Sequence, residues 1–280
     1  LLYDAGFLER NTNSRTPEYR LVEENVSFLS PVEYMDIDSA YKGLDGNIHY
    51  AKNFTNYTVF SLWDTFRALH PLFNLIQPTR NKDMMESLLA HFDQSVHPML
   101  PIWSHYSNEN WCMIGYHSVS LLADAMKKKV LKPESYQRAL DASVKSANID
   151  YFDGLGYYKK LGFVPDDKNP YSVSKTLEYA YDDWCIAQFA KTQGDTKTYT
   201  DFMQRAQSYK NSFDPTTNFM RARLNGGWFK PFDPSEVNFN YTEANSWQYS
   251  LFAPQDISGL LHLFGGNNKF EERLDALFTT

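Results

Sequence analysis

The sequence predicts an all-α fold of toroidal type, in which antiparallel helix pairs direct their ends and loops into one central cleft. Three observations carry this expectation. After residue 56 apolar residues recur with a helical period, and the periodic segments come in pairs across short polar loops. Longer connections rich in Gly, Pro, aromatic and acidic residues separate the pairs, and no alternating run of strand type rivals the helices. An α-solenoid would show a fixed sequence period, and none is present.

In chain order, residues 1–56 form a lead-in with one expected element around 20–29, and residues 57–280 form the toroidal domain. The expected pairs are 58–76 with 82–95, 116–130 with 133–147, 174–193 with 195–213, and 246–265 with 267–279. Second helices open at start signals such as Pro133-Glu134 or Asn267-Asn268. The long connections are 96–115, 148–173 and 214–245. Four pairs do not close a six-pair ring, so the toroid is expected to be incomplete in this chain.

Composition narrows the function. The chain has 280 residues, a formal charge of −7, and 16% aromatic residues, including 19 Tyr and 6 Trp. The acidic balance, with no Lys/Arg-rich run, argues against a nucleic-acid partner. No apolar run approaches the roughly 20 residues of a membrane span. Cys112 and Cys185 make neither a disulfide framework nor a metal knuckle; both are expected to be buried thiols among apolar neighbours, with a disulfide between them as the alternative. The chain opens with Leu and carries no signal peptide, as expected for a processed or excised piece whose start says nothing of its compartment.

The segment Ser174-Lys-Thr-Leu-Glu-Tyr-Ala-Tyr-Asp-Asp-Trp-Cys185 is the most informative about chemistry. With Ser174 as N-cap it reads as a helix carrying an apolar stripe of Leu177, Ala180, Tyr181, Trp184 and Ala187. Glu178, Asp182 and Cys185 share an adjacent face. Two carboxyls one turn apart among aromatics disfavour joint ionisation and favour one protonated group, as a general acid requires. A solvated acidic face or a structural salt-bridge cluster made of Glu178, Asp182 and Asp183 is the competing reading.

Two further clusters have similar ambiguity. Trp63, Asp64 and Arg67 place an aromatic plate, an acceptor and a forked donor at one helix start, which suits a pyranose ring. A core Trp with an Asp64–Arg67 pair uses the same residues. Glu243, Asn245 and Gln248 supply oxygen donors at a helix entrance, fit either for a hard cation or for a capping network. Alternating acids in Asp36-Ile-Asp38 and Asp45-Gly46 read as turn chemistry, because the other ligands of a calcium loop are absent.

Phe60-Ser-Leu-Trp-Asp-Thr-Phe-Arg67 with His70-Pro71, Met113-Ile-Gly-Tyr-His-Ser118 with Ala123-Asp-Ala125, Ser172 to Trp184, and Tyr241-Thr-Glu-Ala-Asn-Ser-Trp-Gln-Tyr249 followed by Pro254-Gln-Asp256 and Gly259 occur in one order. Together they resemble the catalytic helical domain of the glycoside hydrolase family 92 α-mannosidases, from about Tyr34 to the end. The resemblance implies a Ca²⁺-dependent, inverting exo-α-mannosidase with an N-terminal β-sandwich before an (α/α)6 barrel. By position it implies that Glu178 is the general acid. Trp63, Asp64, Arg67, Asp182, Asp183 and Glu243 would bind sugar, and Glu243, Asn245 and Gln248 would hold Ca²⁺.

The implied partners are a mannose-containing glycan and the rest of a parent chain, with a periplasmic, cell-surface or secreted location. Ser39, Ala244 and Gln255 depart from the family's common Gly, Gly and His, and Thr242 stands where some α-1,2-specific members have His. The family's base motif, Asn-Asp-Asp-x-Gly, does not occur before Thr280, so the chain alone is expected to have little or no activity. The alternatives are a non-catalytic glycan-binding helical domain and another (α/α)6 hydrolase such as a glucosidase.

Overall fold

The computed structural model describes residues 8–10, 19–21, 31–224 and 226–279. Helices dominate them, joined by two-stranded antiparallel ladders. Most of the element expected around 20–29 lies outside the described residues; Tyr19–Leu21 is a strand paired with Leu8–Arg10. By internal packing the chain divides into two units. One comprises Leu1–Met113 and His117–Ala142, the other Ile114–Tyr116 and Ser143–Thr280.

In the first unit, Ala40–Lys42 and Ile48–Tyr50 form a hairpin around Asp45-Gly46. Gly46 takes the left-handed conformation, with φ 79°, and Asp45 Oδ1 accepts from Asn47 N at 3.0 Å. The single helix expected over 58–76 is divided. Tyr57–Thr58 pairs with Val32–Glu33, and Phe60 N donates to Ser104 O at 2.9 Å, so the aromatic and β-branched start of the segment is spent on ladder contacts. A short helix Leu62–Thr65 follows, Ala68 leaves helical geometry at φ −143°, and Leu69–Ile76 resumes. Pro78 opens Pro78–Gln94 at its first turn, where its missing N–H costs nothing. Ser118–Lys127 is the unit's next helix. Phe60, Phe73, Met84, Leu88 and Leu122 are fully buried within this unit.

The chain passes between the units within Tyr136–Ser146. The second unit is built on Ser172–Gln193, which runs 22 residues and stops at Gly194, φ 76°. Its hairpin partner Thr196–Arg205 starts at Asp195, whose side chain accepts from Thr198 N, and ends well before the expected 213; a 3₁₀ turn, Ser208–Ser212, takes over. The helix expected over 246–265 is likewise two, Ser246–Tyr249 and Ile257–Phe264, because Pro254 cannot continue the hydrogen-bond ladder. Asn267–Thr279 closes the described chain. Val173, Leu177, Ala180, Tyr241, Ala244 and Tyr249 share one apolar core with residues of the following segments.

No helix among the described residues is long and apolar enough to cross a membrane.

Candidate active site

The long helix begins two residues earlier than its sequence suggests. Tyr171, at φ 56°, is the N-cap residue, and Ser174 lies in the first turn as a buried side chain. The reason is tertiary. Tyr171 N donates to Phe239 O at 2.5 Å and Val173 N to Asn240 O at 3.2 Å, so main-chain carbonyls of the 239–242 loop accept from amides at the earlier helix start. Ser174 Oγ instead accepts from Thr242 N at 2.7 Å. Asp166 Oδ1 binds both Ser172 Oγ and Asn240 Nδ2, at 2.9 and 2.8 Å. Five contacts thus clip the 239–242 loop to the helix start.

One turn further on, the acidic residues of this helix face inward. Glu178, Asp182 and Asp183 each have 0% exposure, whereas Tyr181 and Trp184 of the expected apolar stripe are only half-buried. A solvated acidic face is therefore excluded. Burying three carboxyls is costly unless each finds donors. Asp183 is surrounded by them: Tyr116 and Tyr158 hydroxyls donate at 2.8 Å each, and Arg205 contacts it at 2.9 and 3.0 Å. Burial pushes the Asp183 carboxyl up from its ordinary value, while the guanidinium and the hydroxyls oppose that rise. Asp182 Oδ2 accepts from Tyr116 N at 2.8 Å. These bonds tie the helix to Tyr116 and to the hairpin partner, so both aspartates face protein donors.

Glu178 is placed differently. Its Oε1 accepts from the Tyr249 hydroxyl at 2.9 Å. Tyr249 comes from the short helix that follows Glu243, and its ring packs against Tyr241 at 6.2 Å. Glu243 is exposed and sits at φ 51°, a left-handed conformation that a residue bearing a Cβ adopts at some cost. Asn245 and Gln248 form a complete capping box: Asn245 N donates to Gln248 Oε1 at 3.0 Å and Gln248 N to Asn245 Oδ1 at 3.3 Å. The donor set of one free-standing carboxylate and two amide oxygens has the hard-oxygen chemistry Ca²⁺ prefers. Each capped amide oxygen keeps a second lone pair, so the set fits part of a shell that requires six to eight oxygens. Among the described residues no group of three or more His, Cys, Asp or Glu is disposed to hold a metal.

Trp63, Asp64 and Arg67 belong to the first unit. The Arg67 guanidinium lies 4.9 Å from the Trp63 ring centre and 4.7 Å from that of Phe66, a cation–π stack with Arg67 exposed and Trp63 half-buried. Of the two cysteines only Cys185 is buried. Cys112 is exposed, contrary to expectation, because it lies in an irregular stretch between the left-handed residues Trp111 and Met113. Sequence reasoning did not single out Tyr249, Tyr116, Tyr158 or Arg205. Tyr249 and Tyr116 lay within motifs that the sequence displayed, at 241–249 and 113–118, but nothing in either motif marked the tyrosine.

Comparison with known proteins adds a family. The model of the glycosyl hydrolase family 92 catalytic domain matches residues 26–280. The family GH92 α-mannosidase BT3965 from Bacteroides thetaiotaomicron is 51% identical, with a TM-score of 0.86, over 89% of this chain and 34% of that one. A further structure of that protein is a complex with mannoimidazole. The family GH92 inverting mannosidase BT2199 from the same organism is 35% identical, TM-score 0.81, over 89% of this chain and 34% of that one. A protein of Arthroderma benhamiae, described as an uncharacterized secreted glycosidase, is 28% identical over 58% of this chain and 26% of its own length. The chain thus spans about a third of the solved relatives and about a quarter of the secreted one.

Proposed function

This chain belongs to glycosyl hydrolase family 92, and we propose that the whole protein removes terminal α-linked mannose from glycans by single displacement with inversion. The observation that carries this reading is the Glu178 carboxyl, fully buried on a helix start clipped to the 239–242 loop and oriented by a tyrosine hydroxyl. It gains support from the similarity to proteins described as an α-mannosidase and an inverting mannosidase.

In this mechanism protonated Glu178 donates to the glycosidic oxygen while a second carboxylate activates water on the opposite sugar face. An inverting pair stands about 6.5–9.5 Å apart to admit that water. We assign the second carboxylate to the rest of the protein, together with the helices that complete an (α/α)6 toroid. Glu178 has no exposed surface, so binding includes an opening step that brings the carboxyl into contact with sugar. Asp182 and Asp183 act through the protein, fixing the helix that presents Glu178. Trp63 and Arg67 offer a stacking face and a forked donor to a sugar ring. Glu243, Asn245 and Gln248 would contribute oxygen ligands to a Ca²⁺ site, where the cation would supply positive charge to the sugar's oxygens. We place the protein outside the cytoplasm, as the relative described as secreted suggests.

The test is proton NMR of the full-length protein acting on an aryl α-mannoside. β-Mannose should appear first and α-mannose only by later mutarotation. α-Mannose as first product would refute inversion, and release of glucose but not mannose across a substrate panel would assign the protein to another hydrolase activity.

A further inference from the structure

Tyr249 is buried, and its helix is tied down by several hydrogen bonds. Its ring is 6% exposed within the apolar core, between Tyr241 and Phe252, each 6.2 Å away. Its short helix is fixed at both ends. The capping box holds the entrance, Ser246 Oγ donates to Met220 O at 2.6 Å, and Ser250 Oγ accepts from Met220 N at 2.8 Å. With the ring so constrained, the position of the hydroxyl is set by packing, and it falls 2.9 Å from Glu178 Oε1.

We propose that Tyr249 is a positioning residue for the acid, selecting which oxygen of Glu178 carries the proton and stabilising the carboxylate left after transfer. The inference rests on the reading of Glu178 as proton donor. A carboxylic acid has one hydroxyl oxygen and one carbonyl oxygen, and the carbonyl oxygen is the acceptor. A hydroxyl donated to Oε1 makes Oε1 that carbonyl oxygen and leaves the proton on Oε2. During hydrolysis the Oε2–H bond breaks and the proton passes to the glycosidic oxygen. That oxygen leaves the anomeric carbon with its electron pair, becoming a neutral alcohol. Water forms the new bond to carbon and gives its proton to the second carboxylate. As Glu178 acquires charge, the bond from Tyr249 becomes charge-assisted and stronger. An interaction that strengthens along the reaction lowers the barrier, whereas one equally strong at the start does not.

The experiment compares the full-length protein with its Tyr249→Phe variant on methyl α-mannoside, a poor leaving group, and on 2,4-dinitrophenyl α-mannoside, which departs without a proton. Phe keeps the ring that fills the core, so the fold should persist, and an unchanged thermal midpoint checks this. We expect kcat on the methyl glycoside to fall about ten- to a hundredfold, the size of a hydrogen bond to a charged group, with KM nearly unchanged. The dinitrophenyl substrate should lose less than about threefold, because little charge then develops on Glu178. Equal losses on both substrates, no loss on either, or an effect confined to KM would each overturn the role. Glu178→Gln on the same pair separates the two layers. If it shows no leaving-group contrast, the acid assignment itself fails; if it does and Tyr249→Phe does not, only the inference about Tyr249 falls.

Discussion

At Glu178 and at Cys112, the chain's local pattern and its surroundings disagree in instructive ways. Glu178 and Asp182 are acidic residues that composition alone would put in water, yet both have 0% exposure. The helical period shows which residues are neighbours but not what lies opposite them. Tyr249, the donor to Glu178, is 71 positions away, and nothing at helical spacing points to it. Cys112 illustrates the converse, since apolar neighbours in sequence do not bury a residue whose backbone turns outward between two left-handed positions. The thiols should therefore react unequally. Brief treatment of the folded protein with iodoacetamide, followed by peptide mass spectrometry, should find Cys112 alkylated and Cys185 spared, with both modified after denaturation. Early labelling of Cys185 would show that its helix face opens readily.

The elements follow their local signals where those signals are strong. Gly194 stops the long helix, Asp195 starts its partner, and Asn267–Thr279 lies where its period places it. Misjudged boundaries occur where a distant contact competes. Main-chain carbonyls of the 239–242 loop accept from amides at a helix start earlier than the expected Ser174 cap, ladder contacts consumed residues 57–60, and Pro254 divided the final pair. The helical hairpin depends on one buried ion pair. Arg205 meets Asp183 at 2.9 Å and also donates to Ala147 O at 2.9 Å, with its own side chain 19% exposed and that of Asp183 0%. Replacing Arg205 with Met leaves a buried carboxyl without its cation, at a cost of about 3–5 kcal/mol. Urea unfolding should register that loss. A change below about 1 kcal/mol would mean that the two tyrosine hydroxyls satisfy Asp183 unaided.

Across the whole molecule, helix richness was legible from periodicity, and the order of four long motifs was specific enough to indicate the family. The two-unit division was not legible, because it depends on which segments pack together. The Glu178 carboxyl was legible as a residue type at a helical spacing. Its donor, the clip that fixes its helix and the ion pair beside it were not, since each joins segments far apart in sequence. In the proposed mechanism Glu178 supplies the proton to the leaving oxygen, which makes proton donation the central claim. Its most direct test is the ratio of kcat on 2,4-dinitrophenyl α-mannoside to kcat on methyl α-mannoside in full-length Glu178→Gln. The account predicts a ratio raised by about two to four orders of magnitude over the parent protein, with the fold retained. An unchanged ratio, or a rise found in Asp182→Asn and not in Glu178→Gln, would contradict it.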